Sequence, residues 1–519
     1  MQASVNDPGH SGCQCPIDVR EGVTFAVYAP FGTDAVLSTY PEGASNSVAT
    51  HPLTRNLERV AASGINVVAL IDRMNDDTWL VTIPAGRPGD IAIVSQGKQD
   101  MVSPATLATL LKSAHQFAPQ ASLVLALEGH GAGFLPDLDL TQLTLANVTA
   151  GGSVQWRLQF GLVRPFTNGA GSADFDKPLI AQGSPVLPIG NPTSPTNHAA
   201  MDTWATGEAL RLARLAGVPI VSVVHLNNCF NMAVEVLHTI APYAGVATGY
   251  CNYNFFTAGD AYPLVFDRVA TLGKITPLAL GRLFAQANHA VLLAAGHEPT
   301  IAGTVELSRL ANIADRVDEL ADALLNSLRQ SSAADRITYI DRIQDAIVGA
   351  QQYDANEDFI LETPDALTDL DSFAAELLKA DFGTYKVAAA ADALRTALSG
   401  IKQYGDDDSP WMDPDRVFDF RSLDLAMSIF LPDPLRNGLW DWRSQYYLDV
   451  NPDPNKPRVQ PHIIDFLTMT DWVDFLIEYH RDAPFVGLLP ALIPDTPLAT
   501  HPEDPRTRRR CGAPTAASR

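Results

Sequence analysis

Cysteine is scarce in this chain: five in 519 residues, at Cys13, Cys15, Cys229, Cys251 and Cys511. An odd, scattered set is not a disulfide framework. The Cys13/Cys15 pair has no second cysteine pair to complete a zinc site, so no metal is expected there. Basic residues are in deficit, 36 against 59 acidic, for a net charge of −23. Such a body repels phosphate backbones and anionic lipid surfaces, which excludes nucleic acid and membrane as main partners. The one dense basic cluster, Arg506, Arg508, Arg509 and Arg510, lies in the tail and reads as a solvated terminus. No apolar run approaches the roughly 18–20 residues of a membrane helix. The opening MQASVNDPGHSGCQCP lacks a basic and then an apolar leader segment. Together these absences predict a cytoplasmic protein.

Apolar residues are plentiful, at 46%, enough for substantial cores. The length suggests roughly three domains, or two large ones. After a loose arm at 1–20 come short runs rich in β-branched residues: Val23–Tyr28, Ile65–Ile71, Ile91–Val94, Ser122–Leu127, Pro219–Val224 and Gly245–Thr248. Runs this short and this apolar suit strands buried on both faces. Helical spacing separates them. Ser103 and Pro104 open one helix, Ala205–Leu215 forms another, and Phe230–Ile240 is expected to form a third directly after the fifth run. The alternation predicts an α/β layered domain over 21–275 with a mostly parallel sheet flanked by helices. Within it, 165–200 is a long loop rich in Gly, Pro, Ser and Asn, the kind that is functional or disordered.

From 276 to 500 the pattern is mainly helical. Leu307 to Leu328 and Ile337 to Ile347 form apolar stripes, read as core packing. Further helices are expected over 366–379, 384–400 and 471–479, with a strand at 425–431. A disordered tail covers 501–519.

Two strand ends carry candidate chemistry. Ser122–Leu127 runs into Glu128-Gly129-His130-Gly131, and Pro219–Val224 runs into His225-Leu226-Asn227-Asn228-Cys229. Ligands bind at the carboxyl ends of parallel strands, so neighbouring strands would bring His130 and Cys229 to one rim. A thiolate at a helix N-terminus is a nucleophile, a histidine can carry its proton, and the N–H groups of Gly131 and Cys229 could form an oxyanion hole. The plainer alternative is a buried core cysteine and a turn glycine. His225 is a rival base, or a structural histidine.

Those residues resemble the clostripain-type cysteine peptidases, in the clan of caspases, gingipains and legumains. The resemblance rests on an apolar strand ending in His130-Gly131, an upstream Asp100-Met101-Val102-Ser103-Pro104 opening a helix, and a strand ending in Asn227-Asn228-Cys229-Phe230-Asn231-Met232 with Glu235 beyond. It continues in Gly259-Asp260-Ala261-Tyr262, Asp369-Leu370-Asp371-Ser372-Phe373, Ser428-Ile429-Phe430-Leu431-Pro432 and Trp472-Val473-Asp474-Phe475-Leu476. It implies a caspase-like fold and an endopeptidase in which Cys229 attacks the scissile carbonyl and His130 protonates the leaving amine. No cofactor is required; calcium, which clostripain binds, is left open, and no EF-hand pattern is present.

The family's preference for Arg or Lys before the scissile bond needs a carboxylate in the pocket. Its usual aspartate two before the cysteine is Asn227 here. Asp260 is the leading substitute, against the alternative of a solvated loop aspartate, with Asp72 and Asp34 as further candidates. The resemblance also implies a zymogen cut inside 165–200, by itself or by an activating protease or regulator, with Lys177 and Arg164 as the nearby basic positions. The partners are then a protein or peptide substrate and that activator. Two other classes stay open: a catalytically weak or inactive scaffold or sensor, which the Asn227-Asn228 departure favours, and a thiol-dependent acyltransferase or another hydrolase.

Overall fold

The structure is a computed structural model that describes residues 16–32, 35–41, 43–73, 76–137, 201–296, 300–353, 366–406, 425, 427–433, 441, 443–450 and 460–481. The predicted tail, Asp34, Lys177, Arg164 and the loop 165–200 lie outside the described residues.

Among these, nine strands form one sheet. In chain order they are β1 Val23–Pro30, β2 Asn66–Asp72, β3 Thr78–Ile83, β4 Ala92–Ser95, β5 Ser122–Glu128, β6 Val221–Asn227, β7 Ala244–Tyr250, β8 Thr300–Glu306 and β9 Lys402–Asp406. Across the sheet the order is β9-β8-β7-β6-β5-β1-β2-β3-β4. The central five, β2-β1-β5-β6-β7, are parallel. Antiparallel strands extend both sides, β3 and β4 at one, β8 and β9 at the other. The sheet is therefore mixed, parallel at its centre and antiparallel at both sides, in an α/β fold.

All eight residues of β1 are buried. Alternate side chains enter opposite cores: Phe25, Val27 and Ala29 one, Ala26 and Tyr28 the other. Helices α1 (Pro52–Ala62), α5 (Ala261–Leu272) and α6 (Pro277–Gly296) cover the first face; α2 (Pro104–Phe117), α3 (Thr203–Leu215) and α4 (Val234–Ile240) cover the second. Each fully buried Leu, Val, Ile or Phe contributes about 1.5–3 kcal/mol. Such side chains on both faces of β1, β5 and β6 fix the register of the strands that carry the candidate site.

Three expectations change. The division at 275/276 runs through the sheet, because β8 and β9 come from beyond it. The rest of that portion is mainly helical, with α7 Leu310–Gln330, α8 Ala333–Gly349, α9 Leu370–Leu377, α10 Val387–Leu398 and α11 Trp472–His480. The Ile337–Ile347 stripe buries Ile343 and Ile347 but leaves Ile337 exposed. And α6 is, by length and composition alone, long and apolar enough to cross a membrane. Arg282, Asn288 and His289 interrupt its apolar run in the sequence. In the structure it lies along β6, β7 and β8, with Leu280 and Phe284 fully buried.

A small antiparallel sheet, Gln352–Tyr353, Leu367–Asp369 and Ser428–Phe430, docks beside the carboxyl end of β6. The Ser428 N–H donates to the Met232 carbonyl at 3.0 Å. The C-terminal portion thus reaches the rim where His130 and Cys229 lie.

Candidate active site

Strands β5 and β6 are adjacent and parallel, and their last paired residues are Glu128 and Asn227. His130 and Cys229 each follow two residues later, so equal strand lengths bring both to one rim. The two loops touch. A Cβ at Gly131 would stand 2.1 Å from the Cys229 carbonyl oxygen, so only glycine fits. The absent side chain lets the backbones of the two loops approach each other closely.

Asparagines join the loops further. The Gly133 N–H donates to Asn231 Oδ1 at 3.1 Å, Asn231 Nδ2 donates to Asn228 Oδ1 at 2.8 Å, and Asn228 Nδ2 reaches the Leu127 carbonyl at 3.4 Å. Asn228 and Asn231 are both buried. The Asn-Asn-Cys-Phe-Asn run therefore has a structural task, holding the histidine loop against the cysteine loop.

The helix expected at once after Cys229 begins later. Helix α4 opens at Val234, not Phe230. The Phe230 N–H donates to the Asn252 carbonyl and the Met232 N–H to the Tyr250 carbonyl, both at 3.0 Å. These accepting carbonyls belong to β7 and its continuation, and an N–H committed to them cannot close a helical turn. Phe230 also takes a left-handed φ of 59°, unusual for a residue with a side chain and costing on the order of 1–3 kcal/mol. Cys229 thus lies in a sharp turn, and the helix-dipole argument does not apply to it.

Its sulfur has another polar neighbour. Cys229 is 9% exposed. The Asn254 N–H points to Sγ at 3.4 Å, and the Asn254 carbonyl lies 3.7 Å from it. A backbone N–H aimed at sulfur stabilises negative charge there. His130 is half-buried.

The pocket candidates separate. Asn227 is buried in a polar chain: its Nδ2 donates to both Glu128 oxygens, at 3.0 and 3.1 Å, and to the Tyr262 hydroxyl, at 3.0 Å. Its Oδ1 accepts from Asn254 Nδ2 at 2.9 Å, and Asn254 Oδ1 accepts from Asn288 Nδ2 at 2.7 Å. Tyr262 also donates to Glu128. Burial pushes the Glu128 carboxyl up to about 7, against the lowering effect of Tyr262 and Asn227. Asp260 is exposed and accepts from Asn56 Nδ2 at 2.7 Å. Asp72 ends β2, two strands from β5, and its carboxylate takes Lys98 Nζ and the Thr78 hydroxyl, each at 2.7 Å. An internal cation already neutralises Asp72, which is not brought to Cys229.

His225 lies in the core. Its ring stacks on Phe284 at 4.6 Å and its Nε2 is 3.3 Å from the Tyr250 hydroxyl. Burial lowers it to about 3, so it is a neutral structural histidine. Glu235, on α4, is fully buried; its Oε1 accepts from the Phe430 N–H and the Tyr447 hydroxyl, both at 2.8 Å. Burial pushes this carboxyl up to about 7 as well.

Sequence reasoning missed the roles of Glu128 and Asn231, and missed Asn254 and Asn288 altogether. The available signal was asparagine itself, unusually dense at 227, 228 and 231 and again at 252 and 254. Among the described residues, no group of three or more His, Cys, Asp or Glu side chains gathers to hold a metal ion.

No protein-family model and no curated protein matches the chain. Solved structures similar to it are C11, or clostripain-type, cysteine proteases. An inactive zymogen C11 protease from Parabacteroides distasonis is 14% identical with a TM-score of 0.48, over 82% of this chain and 96% of that one. A secreted C11 cysteine protease from Bacteroides thetaiotaomicron, bound to an irreversible peptide inhibitor, is 12% identical with a TM-score of 0.47, over 83% and 96%. A clostripain from the same organism is 10% identical with a TM-score of 0.29, over 44% and 85%.

Proposed function

We propose that this chain is a cysteine endopeptidase in which Cys229 is the nucleophile and His130 the proton carrier. One observation carries the reading: His130-Gly131 and Cys229 leave neighbouring parallel strands at the same register, and their backbones touch. The Cys229 thiolate attacks the scissile carbonyl, forming the carbon–sulfur bond. The oxyanion is met by the Gly131 and Cys229 N–H groups. His130 passes its proton to the leaving amine as the carbon–nitrogen bond breaks, then takes one from the water that hydrolyses the thioester. No cofactor enters these steps.

The substrate is a protein or peptide cut after Arg or Lys. The acidic body attracts basic chains, and two carboxyl groups are the candidates to meet such a side chain: Glu128, buried behind the Asn227 amide, and exposed Asp260 on the loop after β7, bonded to Asn56. The proposal places the enzyme in the cytoplasm, where a free thiol persists, and its activation in a cut at Lys177 or Arg164.

The test uses arginyl, lysyl and aspartyl peptides that carry a thiol-reactive group. Arginyl or lysyl labelling of the wild type at Cys229, absent in Cys229→Ala, is expected. His130→Ala should lower turnover by about 10²–10⁴. Equal labelling of Cys229 and Cys251, with no turnover, would sink the reading.

A further inference from the structure

Arg443 lies more than three hundred residues beyond the histidine loop in sequence and yet is bonded to it. It is 2% exposed. Its Nη1 donates to the Ala132 carbonyl at 2.7 Å and to the Phe134 carbonyl at 3.1 Å. Its other edge is held by Asp441, with Nε at 3.0 and 3.1 Å from the two carboxylate oxygens and Nη2 at 2.6 Å from Oδ2. The guanidinium carbon stands 5.0 Å over the Phe430 ring. The pair is buried and complete, so the fork cannot turn to other acceptors.

The loop it grips, Gly129 to Phe134, has no helix or strand of its own to fix it. One side rests on the cysteine loop, through Gly131 on the Cys229 carbonyl and Gly133 on Asn231. The other side is met by Arg443 and by Leu367, whose Cδ1 would lie 3.0 Å from a Cβ on Gly133. The segment that carries Arg443 is tied to the cysteine side as well. Ser428 pairs with Met232, and Phe430 and Tyr447 donate to Glu235. The Trp472 indole N–H donates to the Phe430 carbonyl at 3.2 Å, fixing the segment to α11.

We propose that Arg443 is a positioning residue: through the Ala132 and Phe134 carbonyls it sets the His130 loop against Cys229, so the C-terminal portion is an obligatory part of the active site. The functional half of this statement rests on the peptidase reading above. The loop-holding half does not.

Arg443→Ala and Arg443→Lys, made in the full chain, test both halves. Lysine keeps the charge opposite Asp441 but cannot bond both carbonyls and the carboxylate together. Hydrogen exchange of the peptide covering 128–137 should be at least about tenfold faster in both variants, with strand 122–127 unchanged in Arg443→Lys. On an arginyl peptide amide, kcat should fall at least about tenfold in Arg443→Lys while KM stays within about twofold and the thermal midpoint holds. Unchanged exchange in the folded lysine variant overturns the proposal, and so does unchanged kcat. A wild type without Cys229-dependent turnover removes the peptidase reading alone, since exchange still decides whether Arg443 holds the loop.

Discussion

Glu128 and Asn227 are register partners on adjacent parallel strands, and their side chains are bonded as well, the Asn227 amide nitrogen lying 3.0 and 3.1 Å from the two Glu128 carboxylate oxygens. Glu128 precedes His130, and Asn227 precedes Cys229, by two residues. The Glu128 carboxylate is held in a buried site by the Asn227 amide and the Tyr262 hydroxyl.

Burial holds the Glu128 carboxyl at about 7, above its ordinary 4.5. A carboxyl raised on folding keeps its proton longer in the native state. Stability is then full below about 4.5 and declines as pH rises to about 7. Glu235 adds a decline of the same sign. Glu128→Gln should remove its share, so its urea midpoint at pH 8 should match or exceed the wild type's. A lower midpoint at pH 8 than at pH 4.5, relative to wild type, would refute this.

Asn254→Ala should weaken both fold and site. It strips a donor from Asn227 and an acceptor from Asn288, both buried. Two such losses cost roughly 2–4 kcal/mol. Urea denaturation reads the stability. Cys229-dependent turnover in the folded fraction should fall too, because the Asn254 backbone contacts Sγ.

Gly131→Ala should abolish turnover, since its Cβ would collide with the Cys229 carbonyl oxygen. Gly89→Ala, with nothing within 4 Å, is the control and should leave turnover and thermal midpoint unchanged. Peptide hydrolysis by the two variants side by side settles the point.

Cys251 is 1% exposed, and burial pushes its thiol well above the ordinary value. Iodoacetamide at pH 8 should modify Cys229 before Cys251, and reach Cys251 only after unfolding. Peptide mapping of alkylated native protein, with urea-treated protein alongside, checks the order.

The parallel centre of the fold was legible because β1, β2, β5, β6 and β7 are short apolar runs. That His130 and Cys229 each follow the end of an apolar strand was legible too; that those two strands are neighbours comes from the sheet order. Strands β3, β8 and β9 were not legible, since TWLVTI, TIAGTVE and KQYGD carry polar residues or glycine at alternate positions and take their strand form from neighbours. Met232, Val236 and Ile240 have helical spacing, but hydrogen bonds to β7 claim the backbone before Val234. Asn254 and Arg443 act on positions 25 and 309–311 residues away. No local spacing announces such pairings.

Strands β5 and β6 lie side by side in the middle of the sheet, yet everything from 138 to 200 separates them along the chain. A single nick in that stretch would leave two fragments sharing one hydrophobic interior, each unable to bury its half alone. Such fragments should run as two bands in denaturing electrophoresis and as one peak on a sizing column, inseparable without denaturant.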